Sequence, residues 1–335
     1  MATHLPVVRS ASLNGYVELA QSLSLDAAAM LRRAGLQLRS LSDPETPIST
    51  QAVRRLLEAS ASASGAEDFG LRLAARRSLS NLGPLSLVLK EEPSARAALD
   101  TLCRYLRLLN ASLLTELEEH DGLLRISEDL LAEPGAPLQQ SMQLAIGVMH
   151  RILHELLGER WQPLWVGLRQ APPQEPARFE RFFGTRVVFL AGFNGIVCRA
   201  SDLTQGLAGH QTTMASFARR YLDGELSRGQ RNAQTTTRQL ITALLPGGRC
   251  TAQQVAQHLG VDRRTLHRHL SAEHTDFSAV LQAVRMEMAE QQLRQNQRSL
   301  AEVATLLGFS SPSAFAYWFR QGFGCSARAW RQDRA

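Results

Sequence analysis

Apolar residues along this chain recur every three to four positions in some stretches and every second position in others, and the balance between the two periods changes near residue 207. In SLDAAAMLRRAG the spacing predicts a short helix stopped by Gly35. ISTQAVRRLLEASA predicts another, capped by Ser49 or Thr50, with Val53, Leu56 and Leu57 on one face. A longer helix is expected from Pro137 to Leu157. Between these, ASLLTELEEHDGLLRISEDL alternates around a central Asp-Gly as a hairpin does, and WVGLRQ and TRVVFL read as two further strands. Residues 1–207 are therefore expected to form an α+β domain.

LAGHQ and SRGQRNAQTTT are polar and contain glycine; they flank a short helical stretch from Thr213 to Leu226, so residues 208–235 read as a linker. From 236 to 335 the pattern is wholly helical, and it repeats. Val255, Ala256, Leu259 and Gly260 return as Val303, Ala304, Leu307 and Gly308, each shifted by 48 positions. Each copy opens on a capping residue, Thr251 or Ser299, places a small alanine where helices cross, and ends its first helix on a glycine suited to positive φ. The spacing predicts two helix-turn-helix units, 251–271 and 299–320.

The second helix of the first copy, DRRTLHRHL, starts at Asp262 and turns Leu266 and Leu270 inward. That of the second copy, SPSAFAYWF, turns Phe315 and Phe319 inward after a turn one residue longer, with Phe309 and Phe323 assigned to the same core. Phe277, Val280, Leu281, Val284 and Met288 mark a connecting helix between the copies. From Phe277 to Leu293 it spans about 26 Å at ~1.5 Å per residue. With its flanking loops it can hold two helices about 34 Å apart, the spacing of successive major grooves on one face of B-DNA.

Composition narrows the class. A chain of 335 residues, 44% hydrophobic and 20% charged, has the balance of a soluble globular protein with room for two cores. It begins with no secretory pattern and holds no apolar run near the ~18 residues of a membrane span, so a cytoplasmic protein with no membrane partner is expected. Cys103, Cys198, Cys250 and Cys325 lie far apart, which predicts reduced, mostly buried thiols and no metal site. The formal net charge is +6, and from Arg249 to Ala335 there are 11 arginines against 7 acids. Such basic charge suits an anionic partner such as double-stranded DNA.

At this point the C-terminal segment is identified as similar to a known family. From about Arg238 to Arg334 it resembles the DNA-binding domain of AraC/XylS bacterial transcription regulators. GFSSPSAFAYWFRQGFGCSARAWR matches that family's second motif, and VAQHLGVDRRTLHRHL with FSAVLQAVRMEMA matches its first motif and connecting helix. The region from about Leu13 to Leu207 is similar to the arabinose-binding-like N-terminal domain of one branch. The resemblance implies a sequence-specific regulator, such as an activator, modulated by a small-molecule effector of unidentified structure. It also implies a homodimer formed through the N-terminal domain and contact with RNA polymerase.

Carried over by motif position, the DNA-facing residues are Arg263, Arg264, Thr265, His267 and Arg268 in the first unit. In the second they are Ser311, Ser313, Ala316, Tyr317 and Arg320. Arg264 and Arg268 lie four apart on one helix face, and guanidinium forks suit guanine O6/N7 or phosphate. Tyr317 stands where the family often has arginine, and Ala327 where it commonly has proline, which points the second unit toward positioning on phosphates.

Two other readings are open to the sequence. In one, the N-terminal domain only dimerises and takes no effector. In the other, a DNA-repair enzyme carries a similar helix-turn-helix beside a reactive cysteine. No cysteine lies in a recognisable nucleophile motif, and no metal-binding helix, nucleophile elbow or phosphate-binding glycine loop is present, so no catalytic residue, cofactor or metal is assigned.

Overall fold

The computed structural model describes residues 7–132, 136–204, 206–207, 213–229, 233–247, 250–259, 261–295 and 298–333. The chain divides into two compact units, Met1–Leu226 and Ser227–Ala335.

The first unit mixes helices and strands. Its helices are α1 (Tyr16–Ser22), α2 (Ala27–Ala34), α3 (Thr50–Ser64), α4 (Phe69–Ala75), α5 (Pro84–Leu89), α6 (Ala95–Leu109), α7 (Gln139–Leu157), α8 (Pro176–Phe183) and α9 (Thr213–Gly229), which belongs to this unit as far as Leu226. Strands β1 (Val7–Arg9) and β2 (Pro47–Ser49) pair alone; β3 (Leu113–His120), β4 (Leu123–Leu130), β5 (Trp165–Leu168), β6 (Val187–Phe189) and β7 (Gly195–Arg199) form a sheet in the order β3-β4-β7-β5-β6. All its pairs are antiparallel except β5 and β6, which α8 joins as a parallel crossover.

Local chemistry explains these elements. Asp26 caps α2 by accepting the Ala29 amide, and Gly35 ends it in the left-handed region at φ 82°. Ser49 caps α3 through the Ala52 amide, which buries Val53, Leu56 and Leu57 as their spacing requires. The predicted hairpin is β3 and β4, and its two-residue turn sets Asp121 and Gly122 both at positive φ, the backbone that suits right-twisted strands. α4 crosses α7 at Gly70, where a Cβ would lie 2.1 Å from the Gln140 carbonyl oxygen. That crossing is tied by Gln140 and Gln143, whose side-chain amides both donate to the Glu67 carbonyl.

The stretch expected to link the domains contributes to the first unit's core. Ala218, Leu222 and Leu226 on α9 are buried in it. The same helix donates from Arg219 to Glu92 at 2.6 Å and accepts at Asp223 from Arg104 and from the Tyr105 hydroxyl. Apolar residues at helical spacing within a polar stretch were the signal. The polar segments around it, 208–212 and 230–232, lie outside the described residues.

The second unit is helical: α10 (Ala233–Leu244), α11 (Ala252–His258), α12 (Arg263–Ala272), α13 (Phe277–Gln295), α14 (Leu300–Leu306), α15 (Pro312–Phe323) and α16 (Ala327–Asp333). α11 packs on α12 and α14 on α15, giving two helix pairs with α13 between them in sequence. The Glu273 carboxylate caps α10, accepting the Ala233 and Gln234 amides at 2.8 Å each. Gly308 follows α14 at φ 69°; its counterpart Gly260 lies outside the described residues. Of the cysteines, Cys198 is buried and the other three are half-buried, Cys325 at the edge of the aromatic core of the second unit.

Candidate DNA-contacting helices and effector pocket

In the second unit, capping and core residues fix which way α12 and α15 turn. The Asp262 carboxylate accepts the Thr265 amide at 2.7 Å, which holds its pKa down, and buried Leu266 and Leu270 seat the helix. Arg263, Arg264, His267 and Arg268 are then exposed on the opposite side. Thr265 is half-buried, and its hydroxyl donates back to Asp262. Among the described residues no carboxylate forms an ion pair with any of these arginines.

Ser311 caps α15, its Oγ accepting the Ala314 amide at 3.1 Å, and Pro312 fills the first helical position. Phe315 and Phe319 are buried; Ser313, Ala316, Tyr317 and Arg320 are exposed, Tyr317 by 72%. The Ser311 hydroxyl therefore has a structural occupation at the position expected to face DNA. Phe319 stacks on Phe323 at 4.1 Å, and Phe309 packs on Phe315 at 5.7 Å. Trp318 and Trp330 complete this aromatic core. Neither tryptophan was expected there, although Trp318 lies three residues from Phe315, on the same helical face.

α13 is fastened directly to the second pair, and to the first through α10, which packs on both α11 and α12. The Trp318 indole donates to Gln282 at 2.7 Å, and Arg285 donates to the Leu307 carbonyl at 3.1 Å while its guanidinium lies over the Phe309 ring. On the other side Arg238 of α10 pairs with Glu287. At ~1.5 Å per residue, the 19 residues of α13 span about 28 Å. The two exposed helix faces are thus borne on one braced body.

The first unit holds a partly open cavity of about 140 Å³ between α3, α6, α7 and the β3–β4 hairpin. Its walls are mostly aliphatic, with Leu57, Leu102, Leu106, Leu144 and Val148 among them. Two charged side chains on those walls are almost wholly buried, Arg77 at 7% exposure and Glu128 at 3%. Burial, with the nearby charge of Arg9, lowers the Arg77 pKa to about 10; burial pushes the Glu128 carboxyl up to about 8. Nothing in the motifs named these residues. The one signal was the alternation Leu124, Ile126, Glu128, which sets a carboxylate on the inward face of β4.

Cys103, Cys198 and Cys250 carry the opposite of nucleophile activation. Burial pushes Cys103 and Cys198 up to about 12 and Cys250 up to about 11. Among the described residues no helix is long and apolar enough to cross a membrane.

Comparison with known proteins accounts for both units. Residues 25–207 match the model of the arabinose-binding domain of AraC transcription regulators, and residues 255–333 match a helix-turn-helix domain model. The transcriptional regulator VirS of Mycobacterium tuberculosis is 27% identical over 332 residues, covering 97% of this chain and 96% of its own. The ornithine utilization regulator of Pseudomonas aeruginosa is 26% identical over 314 residues, covering 92% and 91%. The crystal structure of the regulator CdpR from Pseudomonas aeruginosa aligns over 94% of this chain and 98% of its own, at 20% identity and a TM-score of 0.47. With an arabinose-binding-like ligand domain matched over more than half of its length and a helix-turn-helix domain after it, the chain belongs to the AraC family of DNA-binding transcription regulators.

Proposed function

We propose that α11–α12 and α14–α15 act as two helix-turn-helix units on one duplex, with a small-molecule effector in the first unit setting how well they bind. The observation that carries this reading is the pair of exposed polar faces on α12 and α15, each seated by buried leucines or phenylalanines, with α15 braced by α13 and α12 by α10. Arg264 and Arg268 read base edges in the major groove, Arg263, Thr265 and His267 support them, and Ser311, Ser313, Ala316, Tyr317 and Arg320 position the second unit on the backbone. The raised thiol pKa values support a regulator over a DNA-repair enzyme. The cavity favours an effector-binding first unit over one that only dimerises.

The protein works in the cytoplasm as a homodimer and acts on promoters through RNA polymerase. Met214, Phe217 and Tyr221 support the dimer: they are 61%, 61% and 49% exposed along one face of α9 at helical spacing. Footprinting the full-length protein on its own upstream region, with and without candidate metabolites, tests the whole reading. Protection of two adjacent major grooves on one face of the duplex, altered by one metabolite, is the expected result. Protection of a single groove overturns the two-unit geometry.

A further inference from the structure

The cavity of the first unit holds more unanswered polar groups than an apolar wall tolerates. Arg77 has no carboxylate partner among the described residues, and its Nε has no acceptor. Glu128 Oε2 has no donor, and Oε1 receives only the long 3.5 Å contact from the Thr115 hydroxyl. No ion pair joins Arg77 to Glu128, so neither group answers the other. On the same walls the hydroxyls of Ser12, Ser112 and Ser141 are also without partners. Buried polar groups are normally hydrogen-bonded, and a buried charge without a counter-charge is strongly unfavourable. Five such residues around one space mark a site whose missing partners arrive with a ligand.

The chemistry of the walls fixes the class of that ligand, on the premise that the first unit is an effector domain. An unpaired, buried guanidinium calls for a planar anion that accepts two parallel hydrogen bonds, which a carboxylate does. Arg9 and Arg54 also line the cavity and strengthen its positive potential, although Arg9 is already paired with Glu45. The leucines, Val148 and Met149 call for hydrocarbon. Glu128, set apart from Arg77, calls for a donor. A cavity of 140 Å³ is close to the ~150 Å³ space known to take benzene, which suits a short chain or a single ring. We propose that this cavity binds a small aliphatic acid, its carboxylate held by Arg77 and a hydrogen-bond donor at its far end, a hydroxyl or an ammonium, held by Glu128.

The test uses the full-length protein and four probes of one chain length: valerate, pentylamine, δ-hydroxyvalerate and δ-aminovalerate. Calorimetric titration and melting are followed for the wild type, Arg77→Gln, Arg77→Lys and Glu128→Gln. The two bifunctional acids should bind most tightly, valerate about tenfold or more weaker, and pentylamine not at all; the better of the two bifunctional acids identifies the donor. Arg77→Gln should abolish binding of all three acids, and Arg77→Lys should restore part of it. Glu128→Gln should weaken the bifunctional acids and leave valerate unchanged. Without ligand at neutral pH, Arg77→Gln should melt at or above the wild-type temperature, because it removes an uncompensated buried charge, and Glu128→Gln close to it, because an amide replaces a protonated carboxyl.

If either variant melts well below the wild type, its side chain is structural and the proposal falls; it falls equally if Arg77→Gln binds the acids as the wild type does, or if no acid binds. Electrophoretic mobility shifts on the upstream DNA separate this failure from failure of the broader reading. A protein that binds DNA and responds to a neutral or cationic compound keeps its effector domain and loses only the ligand class proposed here.

Discussion

The Arg285 guanidinium lies 4.5 Å from the centre of the Phe309 ring while its Nε donates to the Leu307 carbonyl, so one side chain of α13 closes the turn that follows α14. Leu307 and the glycine after it are where α14 leaves carbonyls without helical partners, and an arginine fork supplies the donor from a distance in sequence. Arg285→Ala should lower the melting temperature of the second unit's transition, with a stability loss of about 2 kcal/mol for a charged hydrogen bond together with a cation–π contact. Arg285→Lys should recover less than half of it, since an ammonium cannot make both contacts. Calorimetric melts of the full chain check this, and wild-type melting of the alanine variant would contradict it.

Three substitutions separate base reading from positioning and from folding. Arg268→Ala should cost about 1 to 3 kcal/mol of binding and relax discrimination at one base position. Tyr317→Ala should weaken binding by at most about 0.5 to 1.5 kcal/mol, evenly across sequences, because the exposed hydroxyl offers one neutral hydrogen bond. Phe315→Ala removes a buried ring and should cost ~3 to 5 kcal/mol of folding stability. Thermal melts check Phe315→Ala, and binding to a panel of single-base operator variants checks the other two; a larger change of base preference from Tyr317→Ala than from Arg268→Ala would make α15 the reader.

Stability should fall as pH rises toward 8. The Glu128 carboxyl keeps its proton in the folded chain up to about 8, whereas an unfolded glutamate loses it near 4.5. The native state therefore binds more protons than the unfolded state across that window, and stability declines with rising pH until the folded pKa is passed. His150 and His258 act in the opposite sense at lower pH: burial depresses both to about 4, so they cost stability as pH drops below about 6.5. The Glu128 effect is thus read between about pH 6.5 and 8, where it amounts to ~1.4 kcal/mol per unit of pH. Chemical denaturation over this range should show the slope in the wild type and its loss in Glu128→Gln.

Gly70→Ala should damage the first unit at the α4–α7 crossing. The added methyl meets the Gln140 carbonyl at 2.1 Å and the Gln143 Cβ at 2.8 Å, and neither is the free end of a flexible side chain. A loss of at least ~2 kcal/mol is expected from overpacking. α7 also carries Ser141, Leu144 and Val148 of the cavity wall, so acid binding should weaken beyond what the melting shift alone predicts.

Much of this architecture is legible in the sequence because it is written locally. Capping by Asp26, Ser49, Thr251 and Ser299, the Asp-Gly turn of the hairpin and the positive φ of Gly308 each depend on residues within a few positions of one another. So do the inward pairs Leu266 with Leu270 and Phe315 with Phe319. The cavity is not legible in this way. Arg77 follows α4, Ser141 lies on α7 and Glu128 on β4, and only the tertiary fold brings them to one space. α9 was misplaced for a related reason: Arg219 and Asp223 look solvated until Glu92, Arg104 and Tyr105 meet them. Ser311 shows a smaller effect, since one hydroxyl can cap a helix or face a partner and its position alone does not say which.

The turn before α15 is one residue longer than the turn before α12, and this breaks the symmetry of the repeat. Superposing the buried pairs, Leu266 on Phe315 and Leu270 on Phe319, brings Arg264 onto Ser313, His267 onto Ala316 and Arg268 onto Tyr317. The two faces are therefore unlike: one end is rich in guanidinium groups and the other carries a phenol and small side chains. On the two-unit geometry proposed above, a duplex lying along both would meet a strongly cationic end and a weakly cationic one, giving a single copy of the chain a polarity on DNA. Its site needs no palindrome, and reversing that site relative to a promoter would exchange the places of the two helix pairs.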